Sequence, residues 1–289
     1  MTRVLITGVT GTLGTVLTQK MLDLGYEVIG ISRDEQKQRL IKPHKNLTLR
    51  LADVRYYSSL KRVVNKKHID KIYHLAALKC VDTLESNPEE SLLTNVIGTR
   101  NMLDLADFTD STLVFTSTDK ACYPINAYGH SKALAEKLVM ARGHMVCRYG
   151  NVIGSRGSFV PVLKQSLIRH KKAYVTHEDM TRFWMSIEDA SNFVYQSSLS
   201  PKGDNLRIPH GIMACRITDI VAAIANLYDV KKYETEIIGI RPGEKLHETM
   251  RTAEETAYGF PTHSNNKSLQ FTPESLSQFL AISLRGEST

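Results

Sequence analysis

Tyr128-Gly129-His130-Ser131-Lys132 places a phenol and an amine four residues apart. At that spacing on a helix the two share one face. A free phenol, with a pKa near ~10, is a poor base at neutral pH, and a neighbouring ammonium favours the phenolate. So assisted, Tyr128 can take the proton of a hydroxyl as hydride leaves its carbon. YxxxK alone is common by chance; its context decides its weight. Just upstream, Phe115-Thr116-Ser117-Thr118-Asp119-Lys120 ends an apolar run in a charge pair. Charges at the carboxyl end of an interior strand sit where α/β sheets bind ligands. Thr118 can hydrogen-bond the same hydroxyl as Tyr128, and Asp119 with Lys120 forms an acid–base pair. The plainer alternative for that pair is a surface ion pair, which contributes little.

A hydride needs an acceptor, and the N-terminus supplies the place for one. Thr7-Gly8-Val9-Thr10-Gly11-Thr12-Leu13-Gly14 follows a short apolar run and opens a helical pattern. In this GxxGxxG turn Gly8 permits the sharp reversal, Gly11 admits backbone close to a pyrophosphate, and Gly14 lets the helix pack on the sheet. The helix start offers N–H groups and a favourable dipole to phosphate; Thr10 and Leu13 are the other candidate contacts. After the second strand come Ser32-Arg33-Asp34-Glu35 and Lys37. Ser32, Arg33 and Lys37 suit a 2′-phosphate, so NADP is expected ahead of NAD, although Asp34 can instead hold a ribose hydroxyl. Asp53-Val54 follows the third strand, where the carboxylate either accepts from an adenine amine or shapes a turn. Ala76-Ala77 follows the fourth, where small side chains let a flat dinucleotide approach. Asn95 either contacts the cofactor or holds a loop in register.

The elements needed to position these residues are legible. Strands are expected at Arg3–Thr7, Glu27–Ile31, Leu47–Leu51, Lys71–Leu75, Thr112–Thr116 and Met145–Tyr149. Helices are expected at Leu13–Leu24, Ser58–Asn65, Pro88–Phe108 and Asn126–Arg142. Alternating strands and helices imply right-handed βαβ units and a doubly wound parallel sheet of the Rossmann type, class α/β. The beat breaks after Tyr149: Gly150–Ser158 reads as a loop, then helices at 159–170, 187–199 and 217–228 are separated by short strands, and the polar tail ends in a helix. A smaller C-terminal lobe that takes the substrate is expected.

Composition is that of an ordinary globular chain: 289 residues, 42% hydrophobic and 23% charged. The net charge of +7 is spread out except for Lys61 to Lys71, and no aromatic residues interleave with that cluster. This favours a polyanionic small molecule over nucleic acid. Four cysteines without a CxxC pair suggest neither zinc nor a disulfide framework. The start carries no signal-peptide pattern and no apolar run has membrane-span length, so a cytoplasmic enzyme is expected.

Longer motifs make the resemblance specific. Thr118-Asp119-Lys120-Ala121-Cys122-Tyr123-Pro124, then Asn126-Ala127-Tyr128-Gly129 and Lys132, resemble the extended short-chain dehydrogenase/reductase superfamily, and within it the UDP-N-acetylglucosamine 4,6-dehydratases, including those that invert C5. The likeness continues through Arg148-Tyr149-Gly150-Asn151-Val152-Ile153-Gly154-Ser155-Arg156-Gly157-Ser158, Met180-Thr181-Arg182-Phe183-Trp184 and Ile240-Arg241-Pro242-Gly243-Glu244-Lys245-Leu246-His247-Glu248. It spans nearly the whole chain except the tail. Glucose-nucleotide 4,6-dehydratases carry Asp-Glu in place of Asp119-Lys120, which moves the likeness toward the C5-inverting group.

The resemblance implies a redox-neutral dehydration. Tyr128, with Thr118 and Lys132, serves oxidation at C4. Lys120 removes the C5 proton, Asp119 protonates the leaving C6 hydroxyl, and hydride returns to C6. Arg182 and Arg241 are then expected on the diphosphate, Glu244 on ribose or uracil, Asn151 on sugar or phosphate, and Lys79 on the hexose. Arg156 is as suited to a loop cap, His247 to a packed helix start, and Trp184 to a core wall. Residues 1–149, with part of 185–215 returning, would form the NADP-binding domain and 150–289 mainly the nucleotide-sugar lobe. A homo-oligomer is implied, since the Asn126–Arg142 helix often forms a dimer bundle in the superfamily. The alternatives are a nucleotide-sugar 4-epimerase or keto-reductase, which needs no Asp119-Lys120 pair, and a non-catalytic NADP-binding regulatory protein.

Overall fold

The computed structural model describes residues 2–64, 68–200, 205–255 and 263–284. Val4, Leu5 and Ile6 of the first strand, β1 (Arg3–Thr7), are buried on both faces, as in a parallel strand covered by helices. There follow α1 (Thr12–Asp23), β2 (Glu27–Ser32), α2 (Glu35–Arg39), β3 (Leu47–Leu51), α3 (Tyr57–Val64) and β4 (Lys71–His74). Next come α4 (Val81–Ser86), α5 (Pro88–Ser91), a π-helical segment (Leu92–Ile97), α6 (Gly98–Thr109) and β5 (Thr112–Thr118). A 3₁₀ turn (Asp119–Ala121), α7 (Ala127–Ala141) and β6 (Met145–Tyr149) complete this run. The rest comprises β7 (Asn151–Val152), α8 (Phe159–His170), β8 (Lys172–Val175), β9 (Thr181–Met185), α9 (Ile187–Ser197), β10 (Leu206–Arg207), β11 (Met213–Arg216), α10 (Ile217–Leu227), β12 (Glu234–Ile237), a 3₁₀ turn (Lys267–Leu269) and α11 (Pro273–Ser283).

The chain divides into two compact units, Met1–Arg148 with Ser191–Ile208, and Tyr149–Ala190 with Pro209–Thr289. The first holds a seven-stranded sheet in the order β10-β6-β5-β4-β1-β2-β3, with β1 parallel to both β2 and β4. Strand order reverses between β1 and β4, which opens a crevice at their carboxyl ends where doubly wound sheets bind ligands. Leu5, Ile29, Ile31, Ile72, Leu105, Phe115 and Val146 form the core. The second unit has a three-stranded sheet, β11-β9-β7, and a two-stranded sheet, β12-β8. Trp184, Leu163, Leu167, Ile220, Ile224 and Leu280 pack in its core. Among the described residues no helix is long and apolar enough to cross a membrane.

Two expectations are corrected. Pro88–Phe108 is not one helix. The π segment interrupts it, because Asn95 is drawn inward: its Nδ2 donates to Leu78 O at 2.9 Å and its Oδ1 accepts from Leu78 N at 2.9 Å. The stretch 150–158 contains β7, formed because Asn151 pairs with Trp184, a partner the local sequence does not reveal. The short helices α2 and α4 have too few residues to show a period. Of the basic cluster, residues 65–67, and with them the expected helix end at Asn65, lie outside the described residues. Lys61 lies over the Phe108 ring at 4.5 Å and Lys71 donates to Ser198 O at 2.6 Å.

Gly14 is set by contact. A Cβ there would lie 2.1 Å from the Gly8 carbonyl oxygen, a backbone atom with nowhere to move. Gly14→Ala is expected to lose more than about 2 kcal/mol of stability through overpacking. Urea denaturation checks this; a variant as stable as the parent would show that α1 can slide off the turn.

Candidate active site

The glycine turn meets the β4 end directly. Gly8 has φ +68°, and a side chain on it would reach within 3.0 Å of the Ala76 nitrogen. The start of α1 has Gly11 as N-cap, with no side-chain cap and no acidic residue in its first turn. A bare helix N-terminus beside a glycine cradle is a donor set that fits a pyrophosphate. Gly8, Thr10, Gly11, Leu13 and Gly14 lie in this turn, with Ala76 and Ala77 half-buried beyond β4.

At the β2 end, Asp34 serves as the N-cap of α2. It accepts from Lys37 N at 2.9 Å and pairs with Lys37 Nζ at 2.6 Å. Those bonds to Lys37 hold the Asp34 carboxyl below its ordinary value. Ser32 Oγ accepts from Gln38 Nε2 at 3.0 Å. The exposed Arg33 guanidinium lies 3.6 Å from Asp53. Asp53 is a turn residue. Its carboxylate accepts from Arg55 N at 3.0 Å, Nε at 2.9 Å and the terminal nitrogen at 2.7 Å. Those bonds outweigh its desolvation and hold its pKa down. Val54 turns its side chain into the core, and its carbonyl accepts from Asn101. Asn95 holds the loop in register through both sides of its amide, as one of its two readings proposed.

The catalytic candidates of β5 and α7 converge. Asn126 caps α7, its Oδ1 accepting from Gly129 N at 2.6 Å. A Cβ on Gly129 would lie 2.4 Å from the Lys120 carbonyl oxygen, so the helix start rests on the 3₁₀ turn. The Asp119 carboxylate is fully buried; its Oδ1 accepts from Thr118 Oγ1 at 2.9 Å and from Lys120 Nζ at 3.0 Å. Tyr128 lies within reach of both charges. Loss of water is the largest influence and pushes its phenol up to about 12, with Asp119 adding to the rise, while Lys120 and the Thr118 hydroxyl oppose it. A neighbouring ammonium, that of Lys120, does act in the expected downward sense, but in the protein alone desolvation outweighs it.

Lys132 does not supply the opposing charge. Its Nζ donates to Thr116 O at 2.6 Å and lies 3.9 Å from the Phe115 ring centre. Burial brings its pKa down to about 7, with Glu136, one turn along α7, working upward. Glu136 accepts two bonds from Arg148, at 3.0 and 2.6 Å, in a buried bidentate pair. Sequence reasoning left Glu136 out. Its i+4 spacing from Lys132 was the available signal, but its partner on β6 was not.

In the second unit the Arg182 fork is already occupied. It donates to the carbonyls of Thr181, Leu246 and Lys245 at 2.8, 3.2 and 2.9 Å, and so organises the 245–246 segment. A place on the diphosphate, expected for Arg182 from the resemblance, would have to be shared with or exchanged for these carbonyls. Arg241 is exposed, and its backbone N–H donates to Glu244 Oε2 at 3.2 Å. Asn151 lies in β7, and Lys79, in the first unit, is exposed. Trp184 is core, as expected. His247 is not at a helix start; it sits in irregular chain, with Nδ1 2.9 Å from Thr181 Oγ1.

The seven-stranded sheet and its glycine turn share the Rossmann-type fold of solved structures titled UDP-glucose 4-epimerase and dTDP-glucose 4,6-dehydratase. The chain belongs to the polysaccharide biosynthesis protein family, whose profile matches residues 4–267. It is 37% identical over 271 residues to a Campylobacter jejuni protein named UDP-N-acetylglucosamine 4,6-dehydratase (inverting), covering 88% of this chain and 78% of that one. It is 38% identical over 274 residues to a Rickettsia conorii protein named UDP-glucose 4-epimerase, with the same coverage of 88% and 78%. Among solved structures, Pen from Bacillus thuringiensis superposes with a TM-score of 0.90 at 28% identity, over 97% of this chain and 98% of that one. The dTDP-glucose 4,6-dehydratase of Bacillus anthracis, solved with NAD, shares the fold at TM-score 0.78 and 19% identity, over 99% of this chain and 98% of that one.

His74, at the end of β4, gives the site a pH signature. Burial, and then the charge of Lys132, bring its pKa down to about 3. An unfolded histidine takes its proton near ~6.5. Between these values the unfolded chain binds more protons than the native one, so stability rises with pH across that window. His74's contribution is complete above pH ~6.5 and is lost as pH falls toward about 3. Denaturation at pH 7 and pH 5 is expected to show a smaller loss for His74→Gln than for the parent. Equal losses would mean that His74 already carries its proton in the native state.

Proposed function

We propose that this protein is a UDP-N-acetylglucosamine 4,6-dehydratase, a hydro-lyase of polysaccharide biosynthesis, that forms a 4-keto-6-deoxy-N-acetylhexosamine with C5 inversion. The observation that carries the reading is the buried Thr118–Asp119–Lys120 cluster beside Tyr128. Oxidation alone needs only a phenol, a hydroxyl and a lysine. Elimination of water also needs a base for C5–H and an acid for the C6 oxygen. Lys120 Nζ and Asp119 Oδ1 are 3.0 Å apart. One proton shift along that bond converts ammonium and carboxylate into amine and carboxylic acid. Exclusion of water favours the neutral pair over the ionic one. The same shift therefore readies the base and the acid together.

A nicotinamide dinucleotide, when bound, supplies the hydride acceptor and later donor. Gly8, Gly11 and the start of α1 hold its phosphates. Tyr128 accepts the C4 hydroxyl proton, and Thr118 orients that hydroxyl. Once C4 is a ketone, the C5 proton is acidic; Lys120 takes it while Asp119 gives a proton to the departing C6 oxygen, releasing water. A hydride delivered to C6 from the nicotinamide, when bound, and a proton delivered to C5 from the opposite face would together give the inverted 4-keto-6-deoxy product. Arg241, Glu244 and Asn151 are assigned to the nucleotide and sugar, and Lys79 to the hexose.

For the adenosine end we favour NADP over NAD. Asp34 is engaged as the α2 cap and by Lys37, which leaves Arg33 as the charge offered beside Ser32. The 4-epimerase reading draws on the Rickettsia relative. It leaves the buried acid–base pair without a task.

Incubation with UDP-N-acetylglucosamine in deuterated water, followed by proton NMR, is expected to replace the C6 hydroxymethyl signals with a methyl signal and to place deuterium at C5. A protein that binds dinucleotide yet forms no methyl product would sink the dehydratase reading. Lys120→Ala should keep dinucleotide binding and lose C5 exchange; retained exchange would remove Lys120 as the base. Arg33→Ala should weaken NADP about tenfold, the worth of one charge-assisted contact, and leave NAD affinity unchanged. Equal effects on both dinucleotides would argue against a 2′-phosphate contact.

A further inference from the structure

A run of hydrogen bonds, buried except at its two ends and passing through the body of Asn95, leads through the first unit from the glycine turn to α7. It begins at Thr7, the last residue of β1, whose Oγ1 accepts from Leu75 N and Ala76 N, each at 3.0 Å. The same hydroxyl lies 2.8 Å from His74 Nδ1. On the far side of the imidazole, Nε2 lies 3.1 Å from Thr99 Oγ1, and Thr99 Oγ1 donates to Asn95 O at 2.6 Å. Asn95 Nδ2 donates to Ser131 Oγ at 3.0 Å, and Ser131 Oγ donates to Tyr128 O at 2.8 Å.

The proton directions follow by exclusion. Each hydroxyl has one proton. That of Thr99 goes to Asn95, so its oxygen accepts from His74 Nε2–H. His74 Nδ1 then carries no proton and accepts from Thr7, whose oxygen already takes two backbone N–H groups. From Thr7 through His74, Thr99, Asn95 and Ser131 to the Tyr128 carbonyl the protons all point one way, so a change at either end has to be accommodated along its length. Thr7, His74, Thr99, Asn95 and Ser131 are all buried, and water does not substitute freely for a lost member. The π segment serves this path: it carries Asn95, whose amide also grips both backbone groups of Leu78 in the loop after β4.

We propose that His74 is a positioning residue that couples the glycine turn to the backbone of Tyr128 through Thr99, Asn95 and Ser131, so that the dinucleotide and the phenol are set in register with each other. This rests on the dinucleotide reading above but not on the choice of substrate or reaction. Neither His74 nor Ser131 is assigned a contact with either ligand. Ser131 lies on α7 beside Tyr128 and Lys132, whereas Thr99 lies on α6 beside His74, so non-additivity between the two separates coupling along the path from a local effect at the start of α7.

The test is a double-mutant cycle on the full-length protein between Thr99→Val and Ser131→Ala. It is read first as the dissociation constant of reduced dinucleotide by fluorescence, without substrate, and then as kcat for the proposed dehydration. Ser131→Ala alone is expected to weaken dinucleotide binding about fivefold and to lower kcat. The double variant should lose little more than the worse single one, since contacts in one network are not additive. Ser131→Thr and Thr99→Ser, which keep the hydroxyls, should restore both readings. Thermal melts establish that each variant is folded, and if Thr99→Val is not, His74→Gln takes its place in the cycle. Unchanged dinucleotide affinity in Ser131→Ala, or effects that multiply in the double variant, would overturn the coupling. An unaltered affinity cycle with failed dehydration would instead count against the assigned reaction alone.

Discussion

The start of α7 rests on the carbonyl of Lys120 with no room for a side chain between them. A Cβ on Gly129 would sit 2.4 Å from that oxygen. This approach brings two separate stretches of chain, the end of β5 and the first turn of α7, into one site. Asn126 supports it by capping the helix where it lands. Without it Tyr128 would stand apart from Asp119 and Lys120, and the phenol would not feel either charge. Gly8, Gly11 and Gly14 make an equally close junction at the dinucleotide turn, where backbone meets backbone.

Close packing of this kind removes water, and the charges respond. Burial raises the Tyr128 phenol and lowers the Lys132 amine and the His74 imidazole, so all three are moved toward their neutral forms. Arg148 and Glu136 are held together through two buried hydrogen bonds, and Asp119 accepts from Thr118 and Lys120. Breaking a buried pair by removing one partner is costly because it strands the other. Neutral groups next to paired ions suit a site through which protons move. An oxidised nicotinamide ring, when bound, would add its positive charge to that of Lys120 and act on the phenol in the sense opposite to desolvation.

Most of the frame was legible because its signals are local. Glycine at Gly8, Gly11 and Gly14, apolar runs such as Val4-Leu5-Ile6, and helical spacing from Leu13 onward need no distant partner to be read. The Thr118-Asp119-Lys120 run and the Tyr128–Lys132 spacing pointed to the candidate groups through residue type and separation. What was not legible depends on long-range partners. The π segment follows from Asn95 meeting Leu78 and Ser131, and β7 follows from Asn151 meeting Trp184. The Arg182 fork is filled by carbonyls more than sixty residues further on, at Lys245 and Leu246.

By itself, then, the sequence determined the order of elements, the glycine turn and the side-chain types, a carboxyl, an amine and a phenol, that gather at the end of β5 and the start of α7. These rest on backbone preference and on the intrinsic chemistry of each side chain. Only the tertiary structure decided their protonation and their partners: that Tyr128 is raised while Lys132 is lowered, that Lys132 turns to Thr116, that Asp34 faces Lys37, and that His74 is held neutral between two threonines. The physical reason is that pKa and hydrogen-bond direction depend on how much water is excluded and on which dipoles stand within about three ångströms. Residues far apart in the chain set both.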